Sequence, residues 1–148
     1  MILKVKKMHE GAQLPVYASE GAAGMDLYYD GVSHGPELYI SKKDPVLKVS
    51  TGIKIQVPVG CEAQIRMRSG LALQGLIIPN APATIDSDYR GHIIVPVVSI
   101  SNTVIVIKKG MRFAQMVISP VIQASVEEVE ELDPSERGEG GFGSTKLF

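Results

Sequence analysis

Ile93-Ile94-Val95-Pro96-Val97-Val98, followed after a Ser101-Asn102 turn by Thr103-Val104-Ile105-Val106-Ile107, reads as two consecutive β-strands. β-Branched residues dominate both runs, neither has a 3.6-residue apolar rhythm, and the polar pair between them favours chain reversal. The same texture recurs at Ile53-Lys-Ile-Gln-Val57, where apolar and polar residues alternate, and at Met116-Val-Ile118. Gly31, Gly35-Pro36, Asp44-Pro45, Pro58-Val-Gly60 and Lys108-Lys-Gly110 punctuate the chain between such runs. This spacing predicts an all-β fold of jelly-roll-like sandwich or barrel form, with Pro96 marking an edge or a bulge. One short helical turn is expected at Leu71-Ala-Leu-Gln74, capped by Ser69 and ended by Gly75.

With 148 residues the chain is long enough for one domain with a real core, expected over residues 1–132 and followed by a tail at 133–148. Its formal charge of −1 offers no field to attract polymeric nucleic acid, although a local cluster can still hold a short phosphate chain. The lone Cys61 has no partner for an internal disulfide and lies in a strand-like stretch, so a packing role in a reduced compartment is expected. No apolar run approaches the roughly 18 residues that cross a bilayer. A soluble, cytoplasmic protein without a membrane partner is the expectation. The run Ile93 to Val98 is apolar throughout, which points either to a strand central in one core or to a face that meets another subunit.

Four segments combine polar groups with glycine or a turn. Ala22-Ala-Gly-Met-Asp26-Leu27 sets a carboxylate beside small residues, suited to a hydrated Mg²⁺ or to an ordinary turn. Arg66-Met-Arg68-Ser69-Gly70 gathers guanidinium, hydroxyl and helix-start N–H groups, an anion site or a capped surface turn. Asn80-Ala-Pro-Ala-Thr84-Ile85-Asp86-Ser-Asp88-Tyr89-Arg90-Gly91 reads as a hairpin whose acid is either a general base or a charged tip. Its tyrosine offers a flat face to a sugar, and its backbone could read a base edge. In Gly110-Met-Arg112-Phe-Ala-Gln115 the arginine and glutamine are three apart, which predicts opposite faces of a strand, with Gln115 an inward polar group needing a partner.

The tail from Arg137 to Thr145 is glycine-rich and carries Phe142, Gly143, Ser144 and Thr145. Glycines let successive N–H groups turn toward one phosphate, and a lone aromatic among them suits an apolar or π surface; a disordered end is the alternative. Gly138 and Gly143 have phosphate-loop spacing, but Ser144 stands where that motif needs lysine. His9, His34 and His92 lie in unrelated contexts without zinc-ligand spacing, and no G-x-S-x-G elbow occurs. Water activated beside a hard divalent ion is the chemistry that remains.

In this order, the five segments resemble the motifs of the trimeric deoxyuridine triphosphatase (dUTPase) family from Gly21 to Thr145. The resemblance implies a jelly-roll homotrimer whose three sites each draw on all three chains. It also implies hydrolysis of dUTP to dUMP and pyrophosphate with Mg²⁺, which limits uracil in DNA and supplies the dTMP precursor. Carried over by motif, Asp26 would help place Mg²⁺, mainly through water. Arg68, Ser69 and Gly70 would hold phosphate oxygens, and Gln115 would reach the α-phosphate. Asn80 and the hairpin backbone up to Tyr89, Thr84 and Ile85 included, would recognise uracil, Tyr89 would lie against the deoxyribose and reject a 2′-hydroxyl, and Asp86 would orient the attacking water. From a neighbouring subunit Arg137 would meet the γ-phosphate, Phe142 would cover uracil, and Gly143, Ser144 and Thr145 would close on the phosphates.

Ala83 stands where the family usually has glycine, with a small effect on hairpin shape expected, and His92 replaces a commoner glutamate at a position expected to lie outside the site. The dCTP deaminases, a rival on the same fold, use a glutamate in the strand after this loop, and Ile93-Ile-Val-Pro-Val97 offers none. A regulatory nucleotide-binding protein on this scaffold would be expected to lack Asp86, Gln115 or Arg137, and all three are present.

Overall fold

The computed structural model describes residues 1–141. In chain order its elements are β1 (Lys4–Lys7), β2 (Val16–Tyr17), β3 (Met25–Tyr28), β4 (Glu37–Ile40), β5 (Leu47–Gln56), β6 (Cys61–Met67), α1 (Ser69–Leu73), β7 (Leu76–Ile77), β8 (Ala83–Ile85), β9 (His92–Ser99), β10 (Ile105–Lys108) and β11 (Arg112–Pro120). Every pairing is antiparallel, in three sheets ordered β1-β5-β9-β7, β10-β4 and β2-β3-β11-β6-β8. The sheets do not close into a barrel. The result is the expected all-β, jelly-roll-like sandwich, and among the described residues no helix is long and apolar enough to cross a membrane.

One contiguous core joins the sheets. Leu27, Ala63, Ile65 and Met116 come from the five-stranded sheet, Val49, Val95 and Val97 from the four-stranded sheet, and Ile40 and Ile107 from the pair. Each fully buried Val, Leu or Ile contributes roughly 1.5–3 kcal/mol of transfer free energy, so period-two burial on these strands is what selects their register. Cys61 is buried and free, in keeping with a packing role.

β9 resolves the ambiguity of its apolar run. Ile93, Val95 and Val97 face the core, whereas Ile94 remains 44% exposed and Pro96 and Val98 are half-buried. At Pro96 the register pairs β9 with Lys48 of β5 alone, because β7 extends only to Ile77 opposite Val98. A residue without an N–H is tolerated on such a locally one-sided strand.

Three local expectations change. Ser69 is the first residue of α1, not its cap; Arg68 occupies the N-cap with extended backbone and gives no side-chain cap bond. Gly75 does end the turn, at φ +91°, and a Cβ there would lie 3.0 Å from the Ser101 amide nitrogen. The Asn80–Gly91 segment is not a paired hairpin: β8 pairs with β6 in one sheet, while β9 pairs with β5 and β7 in another. It is a crossover loop between the two large sheets. The third change concerns Arg112 and Gln115.

Candidate active site

Asp26 and Gln115 are directly opposite across the β3–β11 ladder, and Gln115 is in turn opposite Arg66 of β6. The β3–β11 register runs Arg112 to Tyr28, then Ala114 to Leu27 and Gln115 to Asp26, so Phe113 is an extra residue. Tyr28 and Asp26 share a face by the period of two, and the bulge therefore brings Arg112 and Gln115 to that same face. The expectation of opposite faces fails because simple alternation does not survive an inserted residue.

Around Asp26 the charges converge. Arg68 Nε forms an ion pair with Asp26 Oδ1 at 2.8 Å, and Arg112 Nη1 donates to Oδ2 at 3.0 Å. Arg68 Nη1 also donates to the Arg112 carbonyl at 3.2 Å. The carboxylate is almost covered, but the arginine side chains keep 36% and 46% of their surface. One buried negative charge thus orients two half-exposed positive ones, leaving a net cationic, pre-aligned surface suited to phosphate oxygens.

Gln115 completes this wall. Its Nε2 donates to the Met67 carbonyl at 3.1 Å, leaving a second amide hydrogen for another acceptor. Gly24 makes room for it, since a Cβ there would lie 2.6 Å from Gln115 Oε1. Ser69 and Gly70 stand exposed at the start of α1, where first-turn N–H groups have no intrahelical acceptor. A Cβ at Gly70 would meet nothing within 4 Å in this chain. Folding of the monomer does not explain that glycine.

The crossover loop forms the other cluster. Ala83 is buried opposite Ile65, so the departure from glycine is accommodated as a core methyl. Asn80, Thr84 and Asp86 are exposed and Ile85 is half-buried. Thr84 and Asp86, with Glu62, Asp88 and Gln123, line a cavity of about 550 Å³. The Tyr89 N–H donates to the Asp86 carbonyl at 3.2 Å, and the Tyr89 hydroxyl to the His92 carbonyl at 3.1 Å. Arg90 Nη1 donates to the Ser87 and Tyr89 carbonyls at 2.7 and 2.8 Å, which stiffens the loop from within.

The two clusters do not meet. Ile85 is opposite Ala63, so Asp86 lies near the Glu62 end of β6, whereas Gln115 is opposite Arg66. At about 3.3 Å per residue the offset is roughly 13 Å along β6, with β6 itself between them. A single phosphate group cannot touch both from one chain. Arg137 is exposed and its Nε donates to its own Gly140 carbonyl at 2.7 Å. The expected contributions of Phe142, Gly143, Ser144 and Thr145 lie outside the described residues.

The family model described as dUTPase matches residues 10–146. The chain belongs to the dUTPase family. A deoxyuridine 5'-triphosphate nucleotidohydrolase of Hydrogenobaculum sp. (strain Y04AAS1) is 51% identical over 99% of both chains. The dUTPase of Staphylococcus bacteriophage 80alpha, solved as a point mutant with dUpNHpp, superposes with a TM-score of 0.83 at 25% identity, covering 97% of this chain and 98% of that one. A mutant dUTPase from phage phi11 of S. aureus, described with a structural Mg(II) ion, shares the fold at a TM-score of 0.76 and 19% identity, covering 88% and 98%. Arg112, to which the sequence assigned no role beyond its strand position, emerges as the second guanidinium on Asp26.

Proposed function

We propose that this chain hydrolyses dUTP to dUMP and pyrophosphate, in a homotrimer whose sites are shared between subunits. The observation that carries this reading is the pair of incomplete clusters, one cationic and one bearing Asp86, on opposite sides of β6. A second copy that brings its Asp26–Arg68–Arg112–Gln115 wall to the Asp86 loop would complete one site, and a third would supply the tail. The half-exposed apolar strip of Ile94, Pro96 and Val98 supports assembly, because monomers seldom leave such strand faces bare.

In that arrangement Asn80 and the loop backbone through Thr84 and Ile85 would read the uracil edge, and Tyr89 would lie on the deoxyribose. Arg68, Ser69, Gly70 and Gln115 would hold phosphate oxygens. Asp86 would take a proton from water as its oxygen attacks the α-phosphorus; the bond to the bridging oxygen breaks and pyrophosphate leaves with that electron pair. Positioning and charge neutralisation carry most of the barrier reduction. Arg137, Phe142, Gly143, Ser144 and Thr145 would close the site from a neighbouring chain.

Magnesium fits as an ion carried by the triphosphate. Both Asp26 oxygens are paired with guanidinium groups, and among the described residues no group of three His, Cys, Asp or Glu could hold a metal. Asp26 would therefore act on the ion's hydration water, as Mg²⁺ with few protein ligands allows. When bound, the ion supplies neutralisation of phosphate charge.

Pyrophosphate release from dUTP, dTTP, dCTP and UTP, measured with Mg²⁺ alongside the solution mass, tests the reading. A strong preference for dUTP by a trimer is expected. Equal rates on all four nucleotides, or an active monomer, would overturn it.

A further inference from the structure

β9 begins at His92, three residues after Tyr89, and there its ladder with β5 is interrupted. Ser50 is opposite Ile94 but the next pair is Lys54 with His92, so Thr51, Gly52 and Ile53 bulge out against a single residue of β9. Side chains take over where the ladder lapses. The Gly52 N–H points between His92 Nε2 and Ser50 Oγ, 3.2 Å from each, Ser50 Oγ lies 3.0 Å from that ring nitrogen, and Thr51 Oγ1 donates to the Ile93 carbonyl at 2.6 Å.

Ser50 is itself held. Its hydroxyl donates to Asp30 Oδ2, which lies 3.3 Å from His9 Nε2, while Asp30 Oδ1 accepts from the Val32 N–H at 2.9 Å. Asp30 and Ser50 are each only 4% exposed. Gly52 is indispensable at φ +69°, because a Cβ would lie 2.8 Å from both Ala12 Cβ and His9 Nε2. Three distant segments, around His9, Asp30 and His92, thus converge on the bulge in the four-stranded sheet.

We propose that His92 is a positioning residue for Tyr89: seated on Ser50 and Gly52, it fixes the carbonyl that receives the tyrosine hydroxyl and so sets the sugar end of the site. Tyr89 folds over Gly91, where a Cβ would lie 2.1 Å from its hydroxyl oxygen. The ring is therefore located by two neighbours, the bare Gly91 backbone beneath it and the His92 carbonyl at its tip. Ser50 gives its one hydrogen to Asp30, so its 3.0 Å contact with His92 is a hydrogen bond when Nε2 carries the hydrogen, and the Gly52 N–H then has Ser50 Oγ as its acceptor. Burial favours the neutral imidazole, Lys54 and His9 assisting and Asp30 opposing. The inference rests on the reading that Tyr89 meets the deoxyribose.

The test is steady-state kinetics on dUTP and UTP for full-length His92→Ala, Ser50→Ala, Tyr89→Phe and the double variant His92→Ala/Tyr89→Phe. Each single change should raise KM for dUTP about three- to tenfold, the worth of roughly one net hydrogen bond, and narrow the preference over UTP by a similar factor. The kcat of His92→Ala should stay within about twofold, and His92→Gln should recover much of KM. The double variant should be no worse than its poorer parent, because both changes cut one linkage. Unchanged KM and preference in His92→Ala and Ser50→Ala, or losses that multiply in the double variant, would overturn the proposal. If His92→Ala does not fold, Ser50→Ala with Tyr89→Phe gives the same cycle. Tyr89→Ala separates the premises: intact sugar preference there defeats the sugar-facing reading, whereas lost preference there with silent His92, Ser50 and Tyr89→Phe variants defeats only the positioning role.

Discussion

Asp26 Oδ1 and Arg68 Nε form an ion pair at 2.8 Å across a boundary between β3 and the segment leading into α1, and this contact ties the cationic wall to the sheet. The carboxylate is covered, so its loss leaves two guanidinium groups facing each other without their shared counter-charge. Asp26→Asn is therefore expected to cost about 1–3 kcal/mol of stability, less than for a fully buried pair because both arginines reach solvent. It should also lower kcat/KM for dUTP at least about tenfold by releasing Arg68 from its aligned position. Thermal denaturation and kinetics on one preparation check both. A variant with unaltered melting temperature and rate would show that the arginines are aligned by something else.

Gly91 and Tyr89 make a different kind of prediction. The atom that a Gly91 Cβ would strike is the far end of a side chain, so Gly91→Ala should leave folding nearly intact while swinging the phenol aside. Melting temperature should shift by no more than a few degrees, corresponding to about 0.5 kcal/mol or less. The ratio of kcat/KM for dUTP to that for UTP should fall several-fold. Loss of fold instead of loss of discrimination would mean the backbone, not the ring, is what Gly91 serves.

Asp86 is exposed at the loop's mouth and makes no ion pair among the described residues, so neutralising it removes chemistry without disturbing packing. Asp86→Asn should cut kcat by about 10²–10⁴, the range for a general base, with nucleotide affinity held within a few-fold. Calorimetric titration with a non-hydrolysable dUTP analogue, beside single-turnover rates, separates the two. Weakened binding with undiminished turnover of the bound complex would assign Asp86 to recognition.

Much of this architecture is legible in the chain because strands announce themselves by period and branching: β5, β9, β10 and β11 each fall on a run visible in the sequence. Polar segments with glycine likewise mark the two clusters. What escapes are features made by irregular register. The bulge at Phe113 turns Arg112 onto Asp26, and the bulge at Thr51–Ile53 gathers His9, Asp30, Ser50 and His92. Neither insertion leaves a compositional trace, except that Gly52 interrupts a β-branched run. The loop after Asn80 resembles a hairpin locally because turn chemistry says nothing about which sheet receives each arm.

The segment 137–148 carries a prediction from sequence. Its removal should spare the proposed trimer, since residues 137–141 add nothing to the core of described strands, yet lower kcat by at least about tenfold by withdrawing Arg137 and its glycine-rich neighbours from the phosphates. Mass in solution and turnover of the truncated chain are the two readings needed. Undiminished turnover would remove the tail from the mechanism.

Acid should expose the His92 seat directly. Burial, first among the causes, lowers the His92 pKa below its ordinary 6.5, so the unfolded chain takes up a proton before the folded one does. In that window the unfolded state holds more protons, and unfolding free energy therefore rises with pH: stability is full above about 6.5 and declines as pH falls toward the folded-state value. Asp30 acts lower on the scale. Burial pushes its carboxyl up, but the Ser50 hydroxyl, the Val32 N–H and His9 together outweigh it and leave the group below 3.8, so its contribution is present above that value and is lost in stronger acid. The two windows are separate. Melting temperatures measured from pH 7.5 to about 5.5 should thus fall for the natural chain and stay flatter for His92→Gln, which has nothing to titrate at that position. Parallel curves would mean that His92 is protonated as readily in the folded chain as in the unfolded one, and that the neutral ring on Ser50 and Gly52 is not what stabilises the start of β9.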